Sequence, residues 1–228
     1  MKGPRARRGF TLVELLVALF AMALLALMSW RGLDGMTRAQ TQTQARADEM
    51  LTLQVGLAQW AADLDAQVQL PQTSALDWNG RVLRMTRRGT AAPTDGVVVV
   101  AWAQRVVDGR GTWLRWQSAQ VTTRGELDQA WQEANIWSQN PGEEQIAREV
   151  AIVPLDEWQI FYFRGNAWTN PLSSDSTGTP AAPPQVPGGP AIAVLPDGVR
   201  LVLSLPAGQS ISGTITRDWI RPTLGGKS

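Results

Sequence analysis

The chain has 228 residues, a formal charge of +1 from 21 basic and 20 acidic side chains, and neither cysteine nor histidine. Those two absences exclude disulfide staples, thiolate nucleophiles, imidazole general bases and the usual zinc ligand sets. The length suits one soluble domain plus a membrane stem, and aromatic usage is skewed, with 11 tryptophans against one tyrosine.

Lys2, Arg5, Arg7 and Arg8 crowd the residues before Gly9. The positive-inside rule holds such a leader in the cytoplasm and sends the chain beyond the apolar run across the membrane. From Phe10 to Trp30 the run is predominantly apolar and Glu14 is its one ionisable side chain. Those roughly 21 residues, at about 1.5 Å each in a helix, are long enough to cross a hydrocarbon core of about 30 Å. Trp30 falls where a membrane-interface anchor would sit. No small-residue cleavage site comes after the apolar run, unlike an ordinary secretory signal. Glu14 has two readings on position: a functional carboxylate inside the bilayer with a partner to be named, or a side chain snorkelling to the near interface.

Beyond Trp30 the helical pattern continues. From Thr37 to Val68 there is no proline, and Met50, Leu53, Leu57, Ala61, Leu64 and Val68 recur at spacings of three and four, with Trp60 beside the stripe. The spacing predicts a stem over 31–70, ending near Leu70 because Pro71 disfavours helix in the residue before it. Residues 10–70 would then make a rod of about 90 Å. Gly32 and Gly35 weaken the helix by about 1 kcal/mol each relative to alanine.

After Pro71 the signals change to strands. Arg81 to Arg87 alternates, and Val97 to Val107 is a β-branched run joined through Asp108-Gly109-Arg110-Gly111 to Thr112–Trp116 as a hairpin. Glu126 to Ser138 reads as a helix broken by Asn140-Pro141-Gly142. Ala151 to Phe163 reads as one strand despite Pro154, and Val199–Leu205 with Ile211–Ile220 as a second hairpin. The stretch 173–190 is rich in Ser, Thr, Gly and Pro and reads as a mobile loop. The layout predicts an α+β fold, with a long N-terminal helix packed by an antiparallel β-sheet domain over 71–228.

Gly9-Phe10-Thr11-Leu12-Val13-Glu14 resembles the processing site of type IV pilins and of the pseudopilins of type II secretion. That resemblance implies removal of residues 1–9 by a prepilin peptidase between Gly9 and Phe10, with N-methylation of Phe10. It also implies that Glu14 neutralises the terminal amine of a neighbouring subunit. Paired burial of opposite charges is tolerable where either alone is not. Loss of the leader leaves 17 basic against 20 acidic side chains, a mature charge of −3. Nucleic acid is therefore not an expected partner.

Asp63-Leu64-Asp65-Ala66-Gln67, Val106-Val107-Asp108-Gly109 with Trp113-Leu114-Arg115-Trp116, and Leu195–Leu201 with Gly213–Arg217 are similar to the J-component minor pseudopilins of type II secretion. The resemblance implies a pilin-like subunit at the tip of a periplasmic pseudopilus, working with the I and K minor pseudopilins in export of folded proteins across the outer membrane. It implies a single-pass protein of the bacterial inner membrane with its N-terminus cytoplasmic and its globular domain periplasmic. A minor pilin of a type IV pilus, acting in assembly, adhesion or DNA uptake, is the alternative.

No enzyme is expected. Asp63 and Asp65 lie two apart on a helix and diverge, and Glu143 and Glu144 come after a turn as a solvated surface. No metal or cofactor is expected either, since Asp175 is the one carboxylate of the long loop and calcium needs several converging oxygens. Trp131 and Trp137, on the 126–138 helix, are expected either as core residues or as anchors for a partner pseudopilin.

Overall fold

The computed structural model describes residues 10–71, 73–89, 96–173 and 195–222. The expected leader with Gly9, and all of the expected loop except Ser173, lie outside the described residues. The elements in chain order are α1 (Leu12–Asp65), β1 (Leu76–Trp78), β2 (Val82–Arg88), β3 (Val97–Val107), β4 (Arg110–Gln117), α2 (Arg124–Gln139), α3 (Glu143–Ile146), β5 (Glu149–Pro154), β6 (Glu157–Arg164), β7 (Ala167–Thr169), β8 (Gly198–Leu205) and β9 (Gly213–Ile220). Two compact units divide the chain, 1–48 and 49–228.

Within the second unit the strands form two antiparallel sheets, where the sequence suggested one. The first runs β1-β2-β3-β4-β5 and the second β7-β6-β8-β9. β3 and β4 are joined by a two-residue turn, with Asp108 at φ 50° and Gly109 at φ 77° and Val107 opposite Arg110. Both central residues in the left-handed region match the twist of the strands, so Arg110 and Gly111 become strand instead of the expected turn.

β3 is buried on both faces, which explains its unbroken Val-Val-Val-Val-Ala-Trp run. Val98, Val100 and Trp102 point one way, into a core shared with Leu53, Trp60 and Leu64 of α1 and with Trp158, Ile160, Leu201 and Leu203 of the second sheet. Val99, Ala101 and Ala103 point the other way, against Leu127, Ala130, Ala134 and Trp137 of α2. The period of two along one strand thus builds two cores.

Two expected boundaries and the centre of one buried stripe are corrected. α1 ends at Asp65, five residues before Leu70, because the chain turns extended to pair with β2: Arg88 N–H donates to the Ala66 carbonyl at 3.0 Å and Val68 N–H to the Thr86 carbonyl at 3.0 Å. Its buried face is Leu53, Gly56, Trp60, Asp63 and Leu64, while Met50 is 44% exposed, so Trp60 lies at the centre of the stripe and not beside it. The expected strand Ala151–Phe163 is two strands in different sheets. The crossing falls at Leu155 and Asp156, whose N–H groups donate to Gly111 of β4 at 2.8 Å and Ser204 of β8 at 2.9 Å.

α2 starts where a capping box dictates. Thr123 accepts from Glu126 N–H through its hydroxyl at 3.3 Å, and Glu126 accepts from Thr123 N–H at 3.0 Å and Thr122 N–H at 2.8 Å. These donors hold the Glu126 carboxyl below its ordinary value.

Candidate functional site

The amino-terminal half of α1 begins with a second capping box. Thr11 precedes the first helical residue, and its N–H and hydroxyl donate to Glu14 Oε2 at 3.0 and 2.8 Å, while Glu14 N–H donates to the Thr11 hydroxyl at 3.3 Å. Thr-x-x-Glu ahead of an apolar run is the sequence signal for this arrangement. Thr11-Leu12-Val13-Glu14 carries that signal, masked in the sequence by the larger question of a charge inside a membrane. Both bonds to the carboxylate end on Oε2, which leaves Oε1 to accept from another donor.

Glu14 is exposed, as is nearly every residue from Phe10 to Met36. Phe10 is 82% exposed, Leu12 76% and Met28 69%. Among the described residues α1 is the helix long and apolar enough to cross a membrane, and none of its apolar window is buried within the chain. At about 25 cal/mol per Å² of apolar surface, a stripe this long does not stay in water, so lipid or other helices must cover it.

The two tryptophans of α2 part company. Trp137 is fully buried, stacks on Trp116 at 6.2 Å and donates its Nε1–H to Glu149 at 2.6 Å. It lies in the core and offers no surface, the first of the two readings its sequence position left open. Arg105 closes the cluster with both Glu149 oxygens at 2.7 Å. Trp131 is half-buried. Its Nε1–H donates to Thr86 at 3.0 Å, and the Arg84 guanidinium lies 5.1 Å from its ring centre.

Asp63 and Asp65 diverge, as their spacing requires. Asp63 is fully buried and accepts from Arg87, from Arg115 at 2.8 and 2.9 Å, from Trp102 Nε1–H at 2.9 Å and from Gln59 at 2.9 Å. Asp65 accepts from Trp219 Nε1–H at 2.7 Å. One carboxylate therefore ties α1 to β2, β3 and β4, and the other ties it to β9. Sequence reasoning misses Asp63 because nothing local marks an acid whose arginine and tryptophan partners lie 24 to 52 residues away.

Comparison with known proteins matches residues 4–30 to the family described as Prokaryotic N-terminal methylation motif. No curated protein matches the chain. Among solved structures, a chain of the GspK-GspI-GspJ complex from the enterotoxigenic Escherichia coli type 2 secretion system is similar at 18% identity, over 75% of this chain and 96% of that one, with a TM-score of 0.41. A likeness of that size carries no argument beside the chain's own geometry. The matched residues run into an apolar helix long enough to span a membrane: this chain carries the prokaryotic N-terminal methylation motif at its amino-terminal end.

Proposed function

We propose that this chain is a minor pseudopilin of a type II secretion system, a structural subunit of a periplasmic pseudopilus and not an enzyme. The methylation motif over residues 4–30 carries the reading, because it joins a basic leader to an apolar helix with one acid. In this reading a prepilin peptidase cuts between Gly9 and Phe10, and Phe10 is N-methylated. The leader stays cytoplasmic, residues 10–30 span the inner membrane, α1 continues as stem to Asp65, and the unit from Glu49 onward stands in the periplasm. Glu14 then serves two partners. Oε2 caps its own helix through Thr11, and Oε1 accepts from the terminal ammonium of a neighbouring subunit.

The finer assignment is to the J component, with I and K minor pseudopilins as partners in export of folded proteins across the outer membrane. Its support is the set of motifs around Asp63–Gln67, Trp113–Trp116 and Leu195–Leu201 in the sequence. Glu14→Gln tests the carboxylate with the cap retained: the amide oxygen can still accept from Thr11, but the charge is gone. Insertion and cleavage are expected to persist, seen as a mature mass starting at Phe10, while co-purification with other pseudopilins falls severalfold. Unchanged co-purification removes the assembly role of Glu14, and a mature chain that keeps residues 1–9 in cells with an active peptidase removes the whole reading.

A further inference from the structure

A groove of about 500 Å³ opens between α2, β1 and β2, with Trp131, Asp128 and Gln132 on the helix side and Asp77 and Arg84 on the sheet side. That volume lies in the range of ordinary binding sites. Leu127, buried, closes the floor.

The charges in the groove do not cancel. Arg84 forms an ion pair with Asp77 and donates to the Trp131 carbonyl at 3.3 Å, so that pair is neutral and fixed. Asp128 is exposed and is in none of the ion pairs among the described residues. It stands three residues before Trp131, which sets carboxylate and indole side by side on one helix face. The indole is oriented by the hydrogen bond that its N–H donates to the Thr86 hydroxyl at 3.0 Å. Its ring already lies within cation–π distance of one guanidinium, Arg84, at 5.1 Å. Carboxylate and anchored ring together form half of a recognition site for a basic side chain, preorganised by contacts that need not be remade on binding.

We infer that the groove at Asp128 and Trp131 receives a lysine or arginine side chain of a neighbouring subunit in the assembly, paired with Asp128 and packed against the Trp131 indole. The identity of the donor as a subunit rests on the proposed function; the preference for a cation rests on the groove alone. An acidic partner would meet Asp128 unscreened, and a purely apolar one would leave that carboxylate desolvated without a partner.

The test has two arms on the full chain in detergent micelles. In the first, the ¹⁵N-labelled indole resonance of Trp131, assigned by its loss in Trp131→Phe, is followed during titration with acetyl-Gly-Arg-Gly-amide and with acetyl-Gly-Glu-Gly-amide. The arginine peptide is expected to shift it saturably and the glutamate peptide not, with Asp128→Asn weakening binding about tenfold. Equal responses to both peptides, no response to either, or an unaltered response in Asp128→Asn overturns the inference. In the second arm, Asp128→Lys is expected to lower co-purification with the other pseudopilins severalfold while the mature mass still begins at Phe10. Full co-purification of Asp128→Lys overturns the subunit as occupant. Failure of the pseudopilin reading itself would instead appear in the unsubstituted chain, as no co-purification at all, and would leave the peptide titration to decide the groove.

Discussion

Asp63 is the residue on which the second unit turns. Its carboxylate, fully buried, meets two guanidinium groups whose side chains are themselves 5% and 13% exposed. Such a cluster adds little over an apolar one of the same shape, but removing one member strands the rest. Asp63→Ala would leave Arg87 and Arg115 facing each other without an anion and is expected to cost about 3 to 5 kcal/mol in denaturant unfolding. Asp65→Ala removes one bond to Trp219 near the surface and should cost about 1 kcal/mol. Equal losses would mean that Asp63 does not organise the cluster.

Among the elements, α1 carries glycines that are not equivalent. A Cβ at Gly56 would fall 2.3 Å from Ile152 Cγ2 and 3.4 Å from Trp113, whereas at Gly32 and Gly35 nothing lies within 4 Å. Gly56 is therefore a point of close approach between α1 and β5, and Ile152, branched at its own Cβ, has little rotational freedom to clear it. Gly56→Ala gains about 1 kcal/mol of helix propensity but meets an overpacking cost of about 1 to 3 kcal/mol, so the melting temperature should fall. Gly32→Ala has no such clash and should leave the melting temperature of the domain unchanged. For α2 the capping carboxylate sets a pH dependence. Glu126 has its carboxyl lowered by the Thr122 and Thr123 N–H donors, so its contribution is complete above the unfolded-state value and is lost as pH falls through the lower folded value. Amide protection in the first turn of α2 should weaken over that acid window, and in Glu126→Gln it should not change there.

For the chain as a whole, every buried apolar residue among those described lies from Leu53 onward. The apolar segment before it belongs to a separate unit, 1–48. A chain beginning at Glu49 is expected to fold without detergent and to show near-ultraviolet dichroism from its packed tryptophans; aggregation or loss of that signal would show that the domain needs the preceding helix. The apolar helix, the methylation motif, the β3–β4 turn and α2 are legible in the sequence because each rests on features within a few residues: apolar length, a short run of residue types, turn residues, a period of three and four. The division of 151–163 between two sheets, the end of α1 at Asp65 and the burial of Trp137 are not legible, since each depends on a hydrogen bond or a packed face supplied from elsewhere in the chain. Periodicity and turn chemistry are local, and so the order of residues alone dictates an apolar anchor helix followed by antiparallel strands. That Asp63 is a buried hub, and that Trp131 rather than Trp137 keeps a surface, emerges once the chain has packed, because which side of an element is covered depends on what folds against it.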